Sequence, residues 1–255
     1  MSSFPGKLLL LLACVLVGAC SPRSGEAVMQ PRFYPIDDEL LLPTSQGTAL
    51  TVEETIEPYR EQLTSLMEEP VAELATALRK GQPESTMGNW TADVLRDAAR
   101  DLFPDHPVAF AVQNYGGLRI SEVPAGPLRV GTIYEMMPFD NELVLVPASG
   151  KLVTEFVNHM LNDGGWPVSS ELSAERNGGE TRIAINGEPI DPAVTYYLAL
   201  PDYVANGGSD AGMLAGLPQE ASGKMIRDLL IEYARQSQGP IRVVAEGKRV
   251  KLDGI

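Results

Sequence analysis

Val108-Ala109-Phe110-Ala111-Val112 is an unbroken apolar run, and one residue further on stands Asn114-Tyr115-Gly116-Gly117-Leu118-Arg119. A short apolar run closed by turn residues reads as a buried strand that ends in a tight loop. Two glycines after a strand let backbone N–H groups approach a ligand closely. A nearby arginine offers a planar fork for phosphate or carboxylate. A plain glycine turn beside a solvated arginine is spelled the same way, so the motif takes its meaning from its surroundings.

Two further clusters supply those surroundings. Pro138-Phe139-Asp140-Asn141 precedes an apolar strand over residues 142–147. Phe139 there is either a core plug beneath the turn or a stacking platform for a base. The strand Tyr196–Leu200 runs into Pro201-Asp202-Tyr203-Val204-Ala205-Asn206-Gly207-Gly208-Ser209-Asp210. An aromatic, an amide, a glycine pair and an acid fall close together in it, and a carboxylate can accept from both hydroxyls of a ribose diol. All three clusters sit at the ends of apolar strands, where open α/β sheets take their ligands.

The rest of the chain alternates helix and strand signals. Thr51-Val52-Glu53-Glu54 has capping-box spacing, and Ile56, Leu63 and Met67 continue a helix that Pro58 interrupts. Residues 71–78 read as a strand or a short helix. Trp90, Val94 and Ala98 mark a helix over 89–102 that Pro104 ends. Gly150 leads into a helix over 151–161, and 182–185 reads as a strand. Residues 225–235 form an amphipathic helix, and 241–252 read as a terminal hairpin around Glu246-Gly247. The pattern predicts one α/β domain, of mixed α+β character, over residues 51–255.

The N-terminus reads as an address. Lys7 precedes an apolar run from Leu8 to Val17, too short for a helix to cross a ~30 Å hydrocarbon core. Val17-Gly18-Ala19-Cys20 resembles the bacterial lipobox, which makes 1–19 a lipoprotein signal peptide and Cys20 the lipidated residue. Residues 20–50, mixed in Pro, Gly, Ser and acids, read as a tether. The implied location is the bacterial cell envelope, lipid-anchored at the outer membrane and facing the periplasm, with Ser21 after the cysteine in agreement.

Charge and histidine content exclude whole classes. With 20 Lys+Arg against 34 Asp+Glu, the net charge of −14 disfavours DNA or RNA as a partner. His106 and His159 are the two histidines, too few for a histidine-rich two-metal centre. His106, with Asp101 and Asp105 nearby, is either a surface loop residue between Pro104 and Pro107, the favoured reading, or a ligand to one metal, and His159 has no acid at metal-ligand spacing. No Gly-x-Ser-x-Gly marks a serine nucleophile.

Glu84-Ser85-Thr86-Met87-Gly88-Asn89 ahead of a helix carrying Asp93, then NYGGLR, PFDNELV with Gly150, and YVANGGSD resemble the 5′-nucleotidase C-terminal domain. The resemblance covers residues from about 50 to about 235 and implies a single such domain with layered helices and mixed sheets. It further implies that this part grips a nucleoside or nucleotide, while a metallophosphoesterase domain supplies two divalent metals and the attacking water. By position, Phe139 and Tyr203 would sandwich the base, Arg119 would pair with phosphate, and Asn114 would bond the base or ribose side. Gly116, Gly117, Asn206, Gly207 and Gly208 would be further substrate-binding positions in the loops, and Asp210 would hold the ribose hydroxyls. Two departures stand out. Ser209 intervenes before the acid, and a second phosphate-binding arginine falls on Gly81, so that either Arg79 or Lys80 substitutes through a loop shift or that contact is lost.

No catalytic residue and no cofactor of its own is expected in this chain. The implied function is the nucleotide-binding half of a split periplasmic 5′-nucleotidase, with a separate metallophosphoesterase subunit as partner. The alternatives are a non-catalytic nucleoside-binding lipoprotein and a structural or interaction lipoprotein that has lost the ligand.

Overall fold

A computed structural model describes residues 45–253. The signal peptide, Cys20 and the tether up to residue 44 lie outside the described residues. Contacts divide the chain between Thr55 and Ile56. Before that division, the described residues are the opening turns of helix α1 (Ser45–Glu68). α1 begins six residues ahead of the expected Thr51 cap and carries Pro58 inside it. Its Ile56, Tyr59, Leu63 and Leu66 recur at three- and four-residue steps and are exposed. Every strand among the described residues belongs to the part from Ile56 onward.

The apolar runs build the centre of that part. Strands β3 (Val108–Ala111), β6 (Glu142–Ser149), β10 (Thr195–Pro201) and β11 (Glu220–Met225) form one sheet in the order β11-β6-β10-β3. β10 is parallel to β3 and antiparallel to β6, and β11 is antiparallel to β6. Side chains alternate between two separate cores. Leu143, Leu145 and Ala199 join one, whereas Val144, Val146, Leu198 and Leu200 join the other. Burial on both faces explains why β3, β6 and β10 read as continuous apolar runs rather than as alternations.

Helices cover both faces. On one lie α2 (Thr86–Leu102) and α6 (Ile226–Arg235), which bury Trp90, Val94, Leu95 and Ala98, and Leu229 and Leu230. Ser85 caps α2 by accepting the Gly88 N–H at 3.1 Å, so the helix starts three residues before the predicted Asn89. On the other face α4 (Gly150–Asn162) buries Val153, Phe156, Val157 and Met160, and the short α5 (Asp202–Ala205) after β10 adds Val204 and Ala205.

Smaller strands frame this centre. β1 (Pro70–Leu74) pairs with β5 (Gly126–Arg129), which leads into the short helix α3 (Val130–Met136). β2 (Leu78–Arg79) pairs with β4 (Glu122–Val123). The stretch predicted as one strand or short helix is thus split between two strands. A second sheet places β12 (Val250–Lys251) beside β7 (Leu172–Asn177), then β8 (Glu180–Ile185) and β9 (Glu188–Pro189). The fold is mixed α/β, with helices layered on mixed sheets.

The terminal hairpin does not form. Ile241 bridges Leu74 of β1, while β12 runs parallel to β7, so the two halves of 241–252 pair with different elements. Polar side chains of α2 and of Glu84 just before it hold the stretch between them. The Asn89 amide donates to the Val244 carbonyl at 2.9 Å, and Glu84 accepts the Arg249 N–H at 2.8 Å. Asp93 takes both Arg249 guanidinium nitrogens, at 2.8 and 2.7 Å.

Candidate functional site

Strand directions bring the three polar clusters to one edge of the central sheet. β3 and β10 run the same way with Ala111 beside Ala199, and β6 runs against them with Leu143 opposite Pro201. The ends of β3 and β10 therefore share an edge with the start of β6. Side chains tie the loops there. Asn114 Nδ2 donates to Ser209 Oγ at 3.0 Å, and Asp202 Oδ1 accepts the N–H groups of Glu142 at 3.1 Å and Tyr203 at 2.7 Å. The Arg119 guanidinium lies 5.6 Å from the Phe139 ring centroid.

Phe139 is not a core plug: it is 39% exposed, and Tyr203 is 49% exposed. The turn that carries Phe139 and the ring of Tyr203 are nevertheless held. Arg227 of α6 donates to the Phe139 carbonyl at 3.4 Å and to Asp140 at 2.6 Å while lying 4.2 Å over the Tyr134 ring. The Tyr203 hydroxyl accepts the Ser209 N–H at 3.2 Å, and its ring covers Gly208, where a Cβ would stand 2.4 Å from it. Asn206 spends its amide inside the loop, on Asp202 and Gln219. Gly207 has φ +92°, a conformation that favours glycine. Asp210 is exposed, and its carboxylate has no partner among the described residues; Ser209, one residue earlier, is the one whose side chain reaches Asn114.

Of the two candidates for a second cation, Lys80 is the one that lies at the turn after β3. Arg79 turns to Glu122, with a 3.1 Å ion pair, whereas Lys80 Nζ lies 3.9 Å from the Tyr115 ring centroid in the turn that follows β3. Burial lowers the Lys80 ammonium below the ordinary lysine value, and the positive charge of Arg119 adds to the effect. Neither Lys80 nor Arg119 has a carboxylate partner among the described residues. Two like charges are thus held near an aromatic turn of an acidic protein, with no carboxylate counter-ion among the described residues.

Other motif residues do different work. Glu84, Asn89 and Asp93 hold the 244–249 segment rather than the three loops. His159 Nε2 lies 2.9 Å from the Ser209 carbonyl and supports that loop from behind, with its ring edge-on to Trp166. His106 stacks on Tyr197 and pairs with Glu220 at 3.1 Å. Among the described residues no cluster of three or more His, Cys, Asp or Glu could hold a metal ion, so the donor set does not fit a two-metal centre. A groove of about 530 Å³ between α4 and the second sheet carries none of the motif residues. Sequence reasoning missed Arg227, Asp202 and Gln113. Their parts depend on neighbours far along the chain or, for Gln113, on burial behind a turn, and none carries a local spacing signal.

Exposed aromatics, two cations without a carboxylate partner among the described residues and an amide meet at one sheet edge of an α/β domain. The profile of the family described as "5′-nucleotidase, C-terminal domain" matches residues 67–216, more than half of the chain, and the protein belongs to that family. UshA of Salmonella pullorum is 29% identical over 134 residues, 50% of this chain and 24% of UshA. Endonuclease YhcR of Bacillus subtilis is 24% identical over 228 residues, 85% of this chain and 18% of YhcR. Among solved structures, a 5′-nucleotidase precursor from Thermus thermophilus superposes with a TM-score of 0.67 at 25% identity, covering 81% of this chain and 44% of that one. The chain thus spans about a quarter or less of these curated relatives and under half of the solved one.

Proposed function

We propose that this domain is the nucleotide-recognition half of a 5′-nucleotidase-type hydrolase, and that a separate metallophosphoesterase subunit supplies two divalent metals and the attacking water. The observation that carries the reading is the meeting, at one sheet edge, of Phe139, Tyr203, Asn114, Arg119 and Lys80. The rings would stack a base, Asn114 would bond the base or ribose side, and the two cations would take the phosphate. The exposed apolar residues of α1 offer a surface that the partner would cover. In such a pair this half contributes orientation, and the partner contributes the metal-activated nucleophile.

The test is calorimetry and phosphate release on the same preparation. The purified chain binds AMP and adenosine, AMP more tightly, yet with Mn²⁺ or Zn²⁺ added it hydrolyses AMP no faster than buffer. Metal-dependent turnover by the chain alone would sink the split arrangement, and absence of AMP binding would sink the recognition role.

We also propose that Cys20 is lipidated and holds the protein at the outer membrane, facing the periplasm. None of the described helices is long and apolar enough to cross a membrane. Expressed with its leader in a Gram-negative host, the protein incorporates labelled fatty acid and sediments with the outer membrane. Cys20→Ser abolishes both. Retention of the variant in the membrane fraction would argue for a different attachment.

A further inference from the structure

Gln113, between β3 and the Asn114 loop, is fully buried, and its Oε1 has no hydrogen-bond partner among the described residues. Its Nε2 donates to Asn114 Oδ1 at 2.8 Å and leans toward the Asn114 backbone carbonyl at 3.4 Å. Burying an amide with half its bonding capacity unused is unfavourable, and a leucine or methionine would fill a similar volume without that penalty. What the position retains is therefore the Nε2 donor.

That donor fixes how Asn114 is turned. A backbone carbonyl only accepts, so the group beside it is the Gln113 NH2, and the Asn114 atom sharing that NH2 is the acceptor Oδ1. The Asn114 NH2 is left pointing the other way, to Ser209 Oγ at 3.0 Å. The Asn114 side chain makes no capping bond to its own turn, which leaves it free for this arrangement. Gly117 makes room for it. A Cβ there would stand 2.1 Å from Gln113 Nε2 and 2.9 Å from Asn114 Oδ1, and with no left-handed φ to explain it, the glycine is there for space.

We infer that Gln113 is a positioning residue that locks the Asn114 carboxamide from behind, so that Asn114 offers a ligand an N–H donor and selects a base presenting a ring nitrogen or carbonyl oxygen there. The selectivity rests on the nucleotide-recognition reading; the lock itself does not.

Two measurements separate them. In the unliganded protein, NMR shows a cross-peak between the Asn114 side-chain NH2 and the Ser209 Hβ protons. Gln113→Glu, which presents only acceptors when ionised, turns the carboxamide over and removes it. Calorimetry then follows AMP. Gln113→Glu and Gln113→Leu each weaken binding by about tenfold, while the thermal midpoint of Gln113→Leu is unchanged or higher. On an Asn114→Ala background neither substitution changes affinity further. An equal loss on that background, or a cross-peak that survives Gln113→Glu, overturns the inference. If the wild type binds neither AMP nor adenosine, the recognition reading and the selectivity fall together, and the NMR result alone decides the lock.

Discussion

Phe139→Ala and Tyr203→Ala are each expected to weaken adenosine binding by about one to two powers of ten, and the double variant to abolish measurable binding. Base–aromatic stacking is worth ~1–3 kcal/mol per ring by alanine substitution, and 1.4 kcal/mol is about tenfold in affinity. Both rings are substantially exposed, so little core is lost on truncation and the thermal midpoint should stay close to wild type. Affinity and stability therefore part company, which a general loosening of the fold would not produce. Conservative Tyr203→Phe tests the finer point. It keeps the stacking face but removes the hydroxyl that accepts the Ser209 N–H, so it should cost less than the alanine change. Unaltered adenosine affinity in both alanine variants would end the stacking assignment.

The second large effect concerns stability. Asp93 takes two hydrogen bonds from Arg249, one from Arg96 at 3.2 Å and one from the Ser170 N–H at 3.1 Å. Asp93→Ala leaves the Arg249 guanidinium, 14% exposed, without its carboxylate. Breaking a fully buried pair costs about 3–5 kcal/mol. Asp93 keeps some contact with water, which brings the expectation to ~2–3 kcal/mol. At about 2–4 °C per kcal/mol for a domain of this size, the thermal midpoint should fall by ~5–10 °C. Asp93→Asn, which keeps the shape and one acceptor, should fall between. An unchanged midpoint in the alanine variant would mean that the bonds holding residues 244–249 contribute nothing.

Legibility followed the environment of each element. β3, β6 and β10 stand out because burial on two faces produces apolar runs, and α2, α4 and α6 because each buries one stripe. β11 is exposed along almost its whole length and contains Gly223 and Lys224, so neither periodicity nor composition marks it. The 241–252 stretch misleads because apolar residues around a Gly turn resemble a hairpin wherever their pairing partners are. Ile241 and Val250 find theirs on β1 and β7, far away in sequence. The three loop clusters are legible because each adjoins an apolar strand. Lys80 is one of two candidates for the second cation, and only the ion pair of Arg79 with Glu122 separates them. Gln113 is invisible in sequence, because its significance lies in an unpaired buried oxygen.

Tyr203 is fastened by its hydroxyl to the backbone of the loop it closes, and the Phe139 turn is fastened through Arg227. The Tyr203 ring and the backbone that carries Phe139 are thus set during folding rather than on encounter with a ligand. A slot furnished in advance surrenders little rotational freedom when it fills. Association should proceed in one kinetic phase with no slow rearrangement behind it, and changes made to the ligand should register chiefly in how long it stays.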